Sequence, residues 1–527
     1  MGRVTRRGFL KAGSALGAGA LLSPLLRGVS GQAAGDRPSV VLIYTDDQAM
    51  SQFGCYGGQA TPNIDRLAEN GVRLDRYYAS TALCAPSRYG LHTGRYASSA
   101  PATLRKFPAG TPVCVMQDIG DEHNRPPERW NMPAALQNVG YRTGFVGKYH
   151  LGFMDERART VGDTCLDDPE KLEKLRYNFE LAQKGCYAGG YDYAEGLYHD
   201  NPQPDNFYRD VMYHNQDWIT WNALRFLDDC GNDPFLLVMN PTLVHWPPEE
   251  ESLKADRRIT PVGRVDFPKV QPSRQSVLKR AEKANADDVG WYGDKHKAGV
   301  IWLDDAVGVI VDHLLKLGIA ENTMVVLMSD HGRDAKWTCK EGGIRAGALA
   351  YWPGNIQPGR VSEGLVQNVD IAPTVLDICG VDPLPDADMH GVSVAEHLLT
   401  GAPSPRRYAY AEIGYQRTVV DDSGLKYMAL RYPEPIEEQR REGVKFDLRG
   451  RRMKDQSKPA LPVDALYNIA EELPREVPLA QSIEKPERAM RNLADDPAHA
   501  RDLARLQEAL GEISRKLPHS FGEFTDR

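Results

Sequence analysis

Two pairs of side chains able to hold a hard cation stand far apart in this 527-residue chain: Asp46-Asp47 and Asp330-His331. Each pair stands one residue beyond a short apolar run with β-branched residues, Val40–Tyr44 in one case and Thr323–Met328 in the other. Such runs predict buried parallel strands. In open sheets of that kind ligands gather beyond the carboxyl ends of the strands, so the two pairs can converge on one point. Asp46, Asp47 and Asp330 offer hard anionic oxygens, which suit Ca²⁺ or Mg²⁺ better than soft-ligand metals. The imidazole of His331 is a poorer ligand for Ca²⁺ than an amide oxygen. Between the pairs lies Cys84-Ala85-Pro86-Ser87-Arg88. Arg88 falls one helical turn after Cys84, so both side chains point to the same centre.

The elements that must position these residues follow from pattern. Tyr141–Gly147 and Phe235–Asn240 predict further strands, and Asn63–Asn70 predicts a helix closed by Gly71. Ala298–Leu317 predicts a helix with Val300, Leu303, Val307, Ile310, Val311 and Leu314 on one face. Alternating strands and helices imply an α/β domain with a mostly parallel sheet. Pro403–Pro405 marks a boundary. Beyond it, strands at Arg417–Val420 and Lys426–Leu430 and a closing helix at Asp496–Lys516 predict a smaller α+β unit. The expected division is a leader at 1–34, a catalytic domain at 35–402 and a C-terminal subdomain at 403–527.

The run from Cys84 to Arg88, continued by Leu91-His92-Thr93-Gly94-Arg95, resembles the sulfatase signature C-x-P-S-R-x-x-x-L-T-G. Other stretches resemble the same family in the same order. Thr61-Pro62-Asn63-Ile64-Asp65-Arg66-Leu67-Ala68 is similar to its T-P-N-I-D-x-L-A stretch. Gly140 to Gly152 is similar to its second signature, G-Y-x-T-x-x-x-G-K-W-H-L-G, with Tyr149 in place of Trp. Ser329-Asp330-His331-Gly332 and Glu341-Gly342-Gly343-Ile344-Arg345 follow. Ala465-Leu466-Tyr467-Asn468 and Arg491-Asn492-Leu493-Ala494 echo its L-Y-D-L and N-L-A.

The resemblance implies an alkaline-phosphatase-like fold and a hydrolase that releases inorganic sulfate from a sulfated carbohydrate or an aryl sulfate. It also implies that Cys84 is oxidised to formylglycine by a formylglycine-generating enzyme. One hydroxyl of the hydrated aldehyde attacks sulfur, leaving a sulfate hemiester; loss of a proton from the second hydroxyl expels sulfate. A serine or cysteine lacks that second hydroxyl and would be stranded as its ester. By the same resemblance Asp46, Asp47, residue 84, Asp330 and His331 hold a metal, Ca²⁺ ahead of Mg²⁺. Arg88 orients the diol, Lys148 binds a sulfate oxygen, and His150 is the base for hemiester breakdown, its pKa able to sit near neutrality. His245 and Lys336 bind sulfate and protonate the leaving group, with Lys340 as a rival to Lys336. The alternative within the superfamily is a phosphonate monoester or phosphodiester hydrolase. A decayed relative kept as a binding protein would have little reason to retain Cys84, Arg88, Lys148 and His150.

Composition bounds the rest. Hydrophobic residues are 41% and charged residues 26%, ordinary for a globular protein. Thr5-Arg6-Arg7-Gly8-Phe9-Leu10-Lys11 is a twin-arginine pattern, followed by an Ala/Gly/Leu stretch and small residues at 31–34. This predicts export of the folded enzyme by the Tat translocase to the periplasm or beyond, with no integral membrane segment once the leader is cleaved. Residues 1–34 carry five basic groups and no acid, so their removal takes the formal charge from −8 to −13. Such a protein is no candidate for general nucleic-acid binding. The eight cysteines match no zinc spacing. From Lys254 to Lys283 nine basic residues face only Asp256, Asp266 and Glu282. With the Tyr-rich stretch Tyr187, Tyr191, Tyr193 and Tyr198, this predicts a basic, aromatic mouth for an anionic sugar.

One prediction needs no structure. In active protein the peptide containing Cys84 is lighter than its sequence mass by about 18 Da, the difference between a thiol and an aldehyde and a step off the usual oxidation ladder. Mass spectrometry checks it, and a fully active preparation with an intact thiol refutes it. Cys84→Ala abolishes turnover and leaves the fold intact.

Overall fold

The computed structural model describes residues 37–117, 129–151, 160, 162–284, 296–472, 479 and 490–525. The twin-arginine segment 1–34 and Gly152 of the second signature lie outside the described residues.

Eight strands form the main sheet: β1 (Ser39–Thr45), β2 (Val72–Leu74), β3 (Arg142–Lys148), β4 (Tyr193–Tyr198), β5 (Phe235–Asn240), β6 (Thr323–Ser329), β7 (Ala348–Tyr351) and β8 (Arg360–Ser362). Their order across the sheet is β8-β2-β7-β6-β1-β5-β3-β4. All neighbours pair in parallel except β7, which runs antiparallel to both β6 and β2. β1 lies between β5 and β6 and is buried along its whole length. Its side chains part by the period-two rule. Val41 and Ile43 join one core with Ile64, Phe226, Val307 and Ile310, whereas Val40, Leu42 and Tyr44 join another with Leu91, Leu136 and Val375. The sheet is thus sandwiched between two helical layers.

Helix α1 (Pro62–Glu69) opens on a proline whose missing N–H costs nothing there. The next two amides, of Asn63 and Ile64, donate to the buried carboxyl of Asp304 at 3.0 and 2.9 Å. Asp304 belongs to α4 (Lys297–Leu317), whose predicted apolar stripe is buried throughout. Helix α2 (Cys84–Thr93) is buried at every position and ends on Gly94 at φ 70°, a left-handed stop suited to glycine. Helix α3 (Gln216–Cys230) packs against β3 and β4.

A second sheet is wholly antiparallel and runs in chain order: β9 (Tyr408–Ile413), β10 (Gln416–Asp421), β11 (Leu425–Leu430) and β12 (Asp464–Asn468). Helix α5 (Ala500–Ser514) covers it through Leu506 and Leu510. It is shorter than the predicted Asp496–Lys516 because Asp496 instead caps a separate turn, accepting from the Ala498 amide. The two echoed motifs meet here, where the Leu493 amide donates to Leu466 O at 2.8 Å. Among the described residues no helix is long and apolar enough to cross a membrane, and all eight cysteines are free thiols.

The aromatic part of the expected mouth fails at three of its four tyrosines. Several cations of the basic stretch are paired: Arg274 with Asp217 at 2.7 Å and Arg280 with Asp305 in partly buried places, and Arg258 with Asp256 at 2.6 Å and Arg264 with Asp167 at 3.6 Å at the surface. Arg257 lies over the Phe267 ring at 5.0 Å. The stretch folds as a hairpin and helix whose cations tie it to its neighbours. Tyr191 and Tyr198 are fully buried, and the Tyr193 hydroxyl donates to Asn222 O, so these rings are core. Tyr191 precedes β4, Tyr193 and Tyr198 open and close it, and Tyr187, on the helix Pro169–Gly189, is the one of the four that stays 46% exposed.

The two sheets are joined by a fully buried ion pair, Lys426 Nζ of β11 to Glu341 Oε1 at 3.0 Å. Tyr78 donates to the other carboxylate oxygen at 3.0 Å and Arg345 lies 3.5 Å away. Removing one member leaves a charge uncompensated in a dry place. Lys426→Met is therefore expected to destabilise the fold by about 3 kcal/mol, read as a lower urea midpoint with unchanged slope. A midpoint equal to wild type would show that Arg345 alone satisfies Glu341.

Candidate active site

β1 and β6 are parallel neighbours in register, Thr45 opposite Ser329. The residues beyond each strand end therefore fall side by side. Asp330 N–H donates to Thr45 O at 3.0 Å, and Asp47 N–H donates to Asp330 Oδ1 at 3.0 Å. Asp47 takes a left-handed backbone, φ 53°, which costs a non-glycine residue about 1–3 kcal/mol. What holds it is the loop after β5: Asp46 N–H donates to Leu243 O at 2.9 Å and Val244 N–H to Asp46 O at 2.7 Å.

Helix α2 brings its first residue to this junction. Cys84 Sγ lies 3.3 Å from His331 Nε2 and 3.7 Å from both Asp47 Oδ1 and Lys336 Nζ. Burial pushes its thiol pKa up, so it rests as a neutral thiol rather than a nucleophilic thiolate. One turn on, Arg88 Nη2 reaches Asp330 Oδ2 at 3.0 Å and Asp46 Oδ1 at 3.4 Å, all fully buried. Ser87 donates to Asp330 O and lies 2.8 Å from the Tyr44 hydroxyl. Asn368 donates to Ser87 O at 2.8 Å. The helix start is therefore locked to both strand ends.

Two lysines complete the charge balance. Lys148, last residue of β3, meets Asp46 Oδ2 at 2.8 Å with both groups fully buried. Lys336 Nζ meets Asp47 Oδ1 and Oδ2 at 2.8 and 2.7 Å. Burial alone would raise Asp46 and Asp47. Lys148, His245 and Arg88 hold Asp46 well below the carboxylate range, and Lys336, His245 and His331 do the same for Asp47. Burial wins at Asp330, whose pKa is raised despite His331 and Arg88.

Ligand atoms of Asp47, Cys84, Asp330 and His331 all lie within 4.8 Å of one another. Asp46 Oδ1 is buried and accepts no hydrogen bond. His331 Nδ1 is 2.8 Å from Gly332 O. Burial would lower His331, but Asp330, Cys84 and Asp47 hold its pKa well above the usual imidazole range; a cation bound here would replace the Nε2 proton, with Nδ1 still donating to Gly332 O, the arrangement of a ligating imidazole. Convergent anionic oxygens with spare lone pairs fit a divalent cation.

Around this centre stand the remaining expected residues. His245 Nε2 is 3.6 Å from Asp47 Oδ2, and burial lowers its pKa to about 4. Lys336 is at the centre, whereas Lys340 starts the short helix Glu341–Ile344. His150 follows Lys148 in a left-handed conformation, φ 47°, and burial, Lys148 and Arg88 hold its pKa well down. Its Nε2 lies 3.5 Å from Asp200 Oδ1. Sequence reasoning missed Asp200. The available signal was its place two residues past the end of β4, the position that Asp47 holds relative to β1.

The cluster predicts its own stabilisation by metal. A divalent cation at a hundred times its Kd is expected to raise the stability of the folded protein by about 2.7 kcal/mol. Asp330→Ala should abolish that increment along with activity. Equal thermal shifts for wild type and variant on adding the cation would place the metal elsewhere.

The sulfatase family profile matches residues 38–381 of this chain. Human arylsulfatase A is 29% identical over 431 residues, covering 74% of this chain and 73% of that protein. A solved structure in complex with its substrate D-glucosamine-2-N,6-O-disulfate superposes with a TM-score of 0.57 at 18% identity, over 91% of this chain and 98% of that one. A phosphonate monoester hydrolase of Agrobacterium radiobacter superposes with a TM-score of 0.55 at 18% identity, over 91% and 96%. These likenesses carry the alkaline-phosphatase-like fold. With the profile spanning both strand-end pairs, the signature helix and the β3 lysine, this chain belongs to the sulfatase family.

Proposed function

We propose that this protein hydrolyses sulfate esters of a carbohydrate or aryl alcohol, with residue 84 in its formylglycine form as the nucleophile and Ca²⁺, ahead of Mg²⁺, as its metal. The observation that carries the reading is the setting of Cys84. A neutral, buried thiol sits at a helix start among two aspartates, a histidine and a lysine, where a thiol has no task. Sγ stands in for the oxygens of the hydrated aldehyde. Asp46, Asp47, Asp330 and His331 would hold the cation, which would supply Lewis acidity beside residue 84, and the hydrated aldehyde would offer a second hydroxyl through which the ester can be released.

The chain's own residues do the rest. Arg88 fixes Asp46 and Asp330 and keeps a positive charge beside residue 84. Lys148 and Lys336 neutralise the resting carboxylates and face the negative charge of an incoming sulfate. His245 rests neutral, and an arriving anion raises its pKa, so it can share a proton with the leaving oxygen. His150 takes up the proton that must leave residue 84.

The substrate mouth is drawn by two tryptophans rather than by the tyrosines of β4. Trp246 is 45% exposed and follows His245; Trp337 is 40% exposed and follows Lys336. Indoles normally bury most of their surface. Trp337 is held at φ 72° with Arg449, from beyond β11, over one face at 5.0 Å. Two open indole faces, each one residue from a sulfate-facing group, suit a ring stacked above the ester. The reading includes maturation by a formylglycine-generating enzyme and export through the Tat translocase on segment 1–34. It also includes action in the periplasm or outside the cell, and the division at 402/403. The likeness to the phosphonate hydrolase is one of fold and does not separate the chemistries.

Assay decides. We expect turnover of 4-nitrophenyl sulfate and of sulfated sugars well above that of a phosphodiester or phenylphosphonate ester; the reverse order would assign the alternative chemistry. Trp246→Ala and Trp337→Ala should each raise KM for a sulfated sugar about tenfold, the loss of roughly one stacking contact, with smaller changes in kcat.

A further inference from the structure

β3 and β4 are parallel neighbours, but their register is broken once. Gly144, Phe145 and Val146 face Tyr193, Ala194 and Glu195, whereas Gly147 and Lys148 face Leu197 and Tyr198. One extra residue on β4 is absorbed at Val146/Gly147. Bulges beside active sites re-aim the side chains that follow them. Gly147 makes this one possible: it adopts φ 94°, and a Cβ there would lie 2.0 Å from Asn240 O. Beyond the sheet the shifted register persists. Tyr149 N–H donates to Tyr198 O at 2.8 Å and His150 N–H to His199 O at 3.1 Å. The bulge is what puts Asp200 level with His150.

Asp200 is itself held, its Oδ1 accepting from the Asn201 amide at 2.7 Å. That same oxygen faces His150 Nε2 at 3.5 Å. The other ring nitrogen, Nδ1, is buried and has no hydrogen-bond partner. A neutral imidazole carries one N–H and one lone pair. A lone pair on Nε2 would face a carboxylate, whereas an N–H there is attracted to it.

We propose that Asp200 is a positioning residue for His150: it holds the proton on Nε2 and thereby leaves the Nδ1 lone pair as the atom that accepts the proton lost from residue 84. This rests on the sulfate-ester reading. On that reading the proton of the second hydroxyl at residue 84 arrives on Nδ1. The carbon–oxygen bond to sulfate breaks with its electron pair leaving on sulfate, and the carbonyl of residue 84 re-forms. The imidazolium so made is flanked by Asp200 and Asp46 against Lys148, Arg88 and His245, the charged and titratable groups around it. Proton transfer through a fixed tautomer is the service a carboxylate gives an imidazole base.

The test uses the whole protein with ¹⁵N-labelled histidine, the His150 ring signals being identified by their loss in His150→Gln. Wild type should show a neutral ring protonated on Nε2. Asp200→Ala should lose that preference, and the isosteric Asp200→Asn, whose amide can donate, should move the proton to Nδ1. With 4-nitrophenyl sulfate both variants should release about one equivalent of 4-nitrophenol in a fast burst. Steady turnover should then fall about a hundredfold, since only the second step lacks its base. A wild-type proton on Nδ1 would overturn the proposal. So would an unchanged tautomer in both variants, or a fall in kcat without a change of tautomer. If wild type turns over no sulfate ester, the sulfatase reading falls, and the tautomer still decides what Asp200 does to His150.

Discussion

Burial of opposed charge at the ends of β1 and β6 is the constraint on which the rest depends. Asp46, Asp47 and Asp330 come together because two parallel strands share a register, and their carboxylates would repel one another. Each is answered by a cation from a different part of the chain. Arg88 comes from α2, Lys148 from β3 and Lys336 from the loop after β6. None of these pairs would be worth much at the surface. In a dry site each is required, because a partner left alone bears the desolvation cost of its own charge. The fold is thereby committed to bringing three distant segments to one place, and the same commitment gathers anionic oxygens and cationic side chains at one buried centre.

Strain collects where that commitment is hardest to meet. Among the described residues four non-glycine positions have positive φ; Asp47 and His150 carry site side chains and Trp337 follows Lys336. A sheet alone would aim successive side chains to alternate faces. Left-handed residues and the bulge at Gly147 turn the chain beyond the strand ends so that consecutive groups face one centre. The Asp46–Val244 and His150–His199 backbone bonds hold these turns, which is how a rigid sheet supports a preorganised site.

The surface around the centre is made by loops that the sheet does not dictate. Trp246 and Trp337 meet the solvent one residue from His245 and Lys336, and Arg449 reaches Trp337 from the connection between β11 and β12. The Lys426–Glu341 pair fixes that sheet against the loop bearing Lys336. The smaller sheet therefore takes part in holding the loop that carries Lys336 and Trp337 as well as closing the core.

Period and residue type determined much. β-branched runs marked β1, β5 and β6 nearly to their ends, the stripe on α4 was read residue by residue, and acids just past strand ends marked side chains that the fold brings together. Those signals are local, because each is set by side chains within a few residues. Pairing was not local. That β7 alone runs antiparallel, that Tyr191 and Tyr198 are core, and that Arg274 and Arg280 are spent on Asp217 and Asp305 all depend on which segments became neighbours. Asp200 makes the point most sharply. A single-residue shift between β3 and β4, forced where only glycine fits beneath Asn240 O, decides whether His199 or Asp200 stands beside His150. A register is a relation between two strands, and it is fixed only when both are packed.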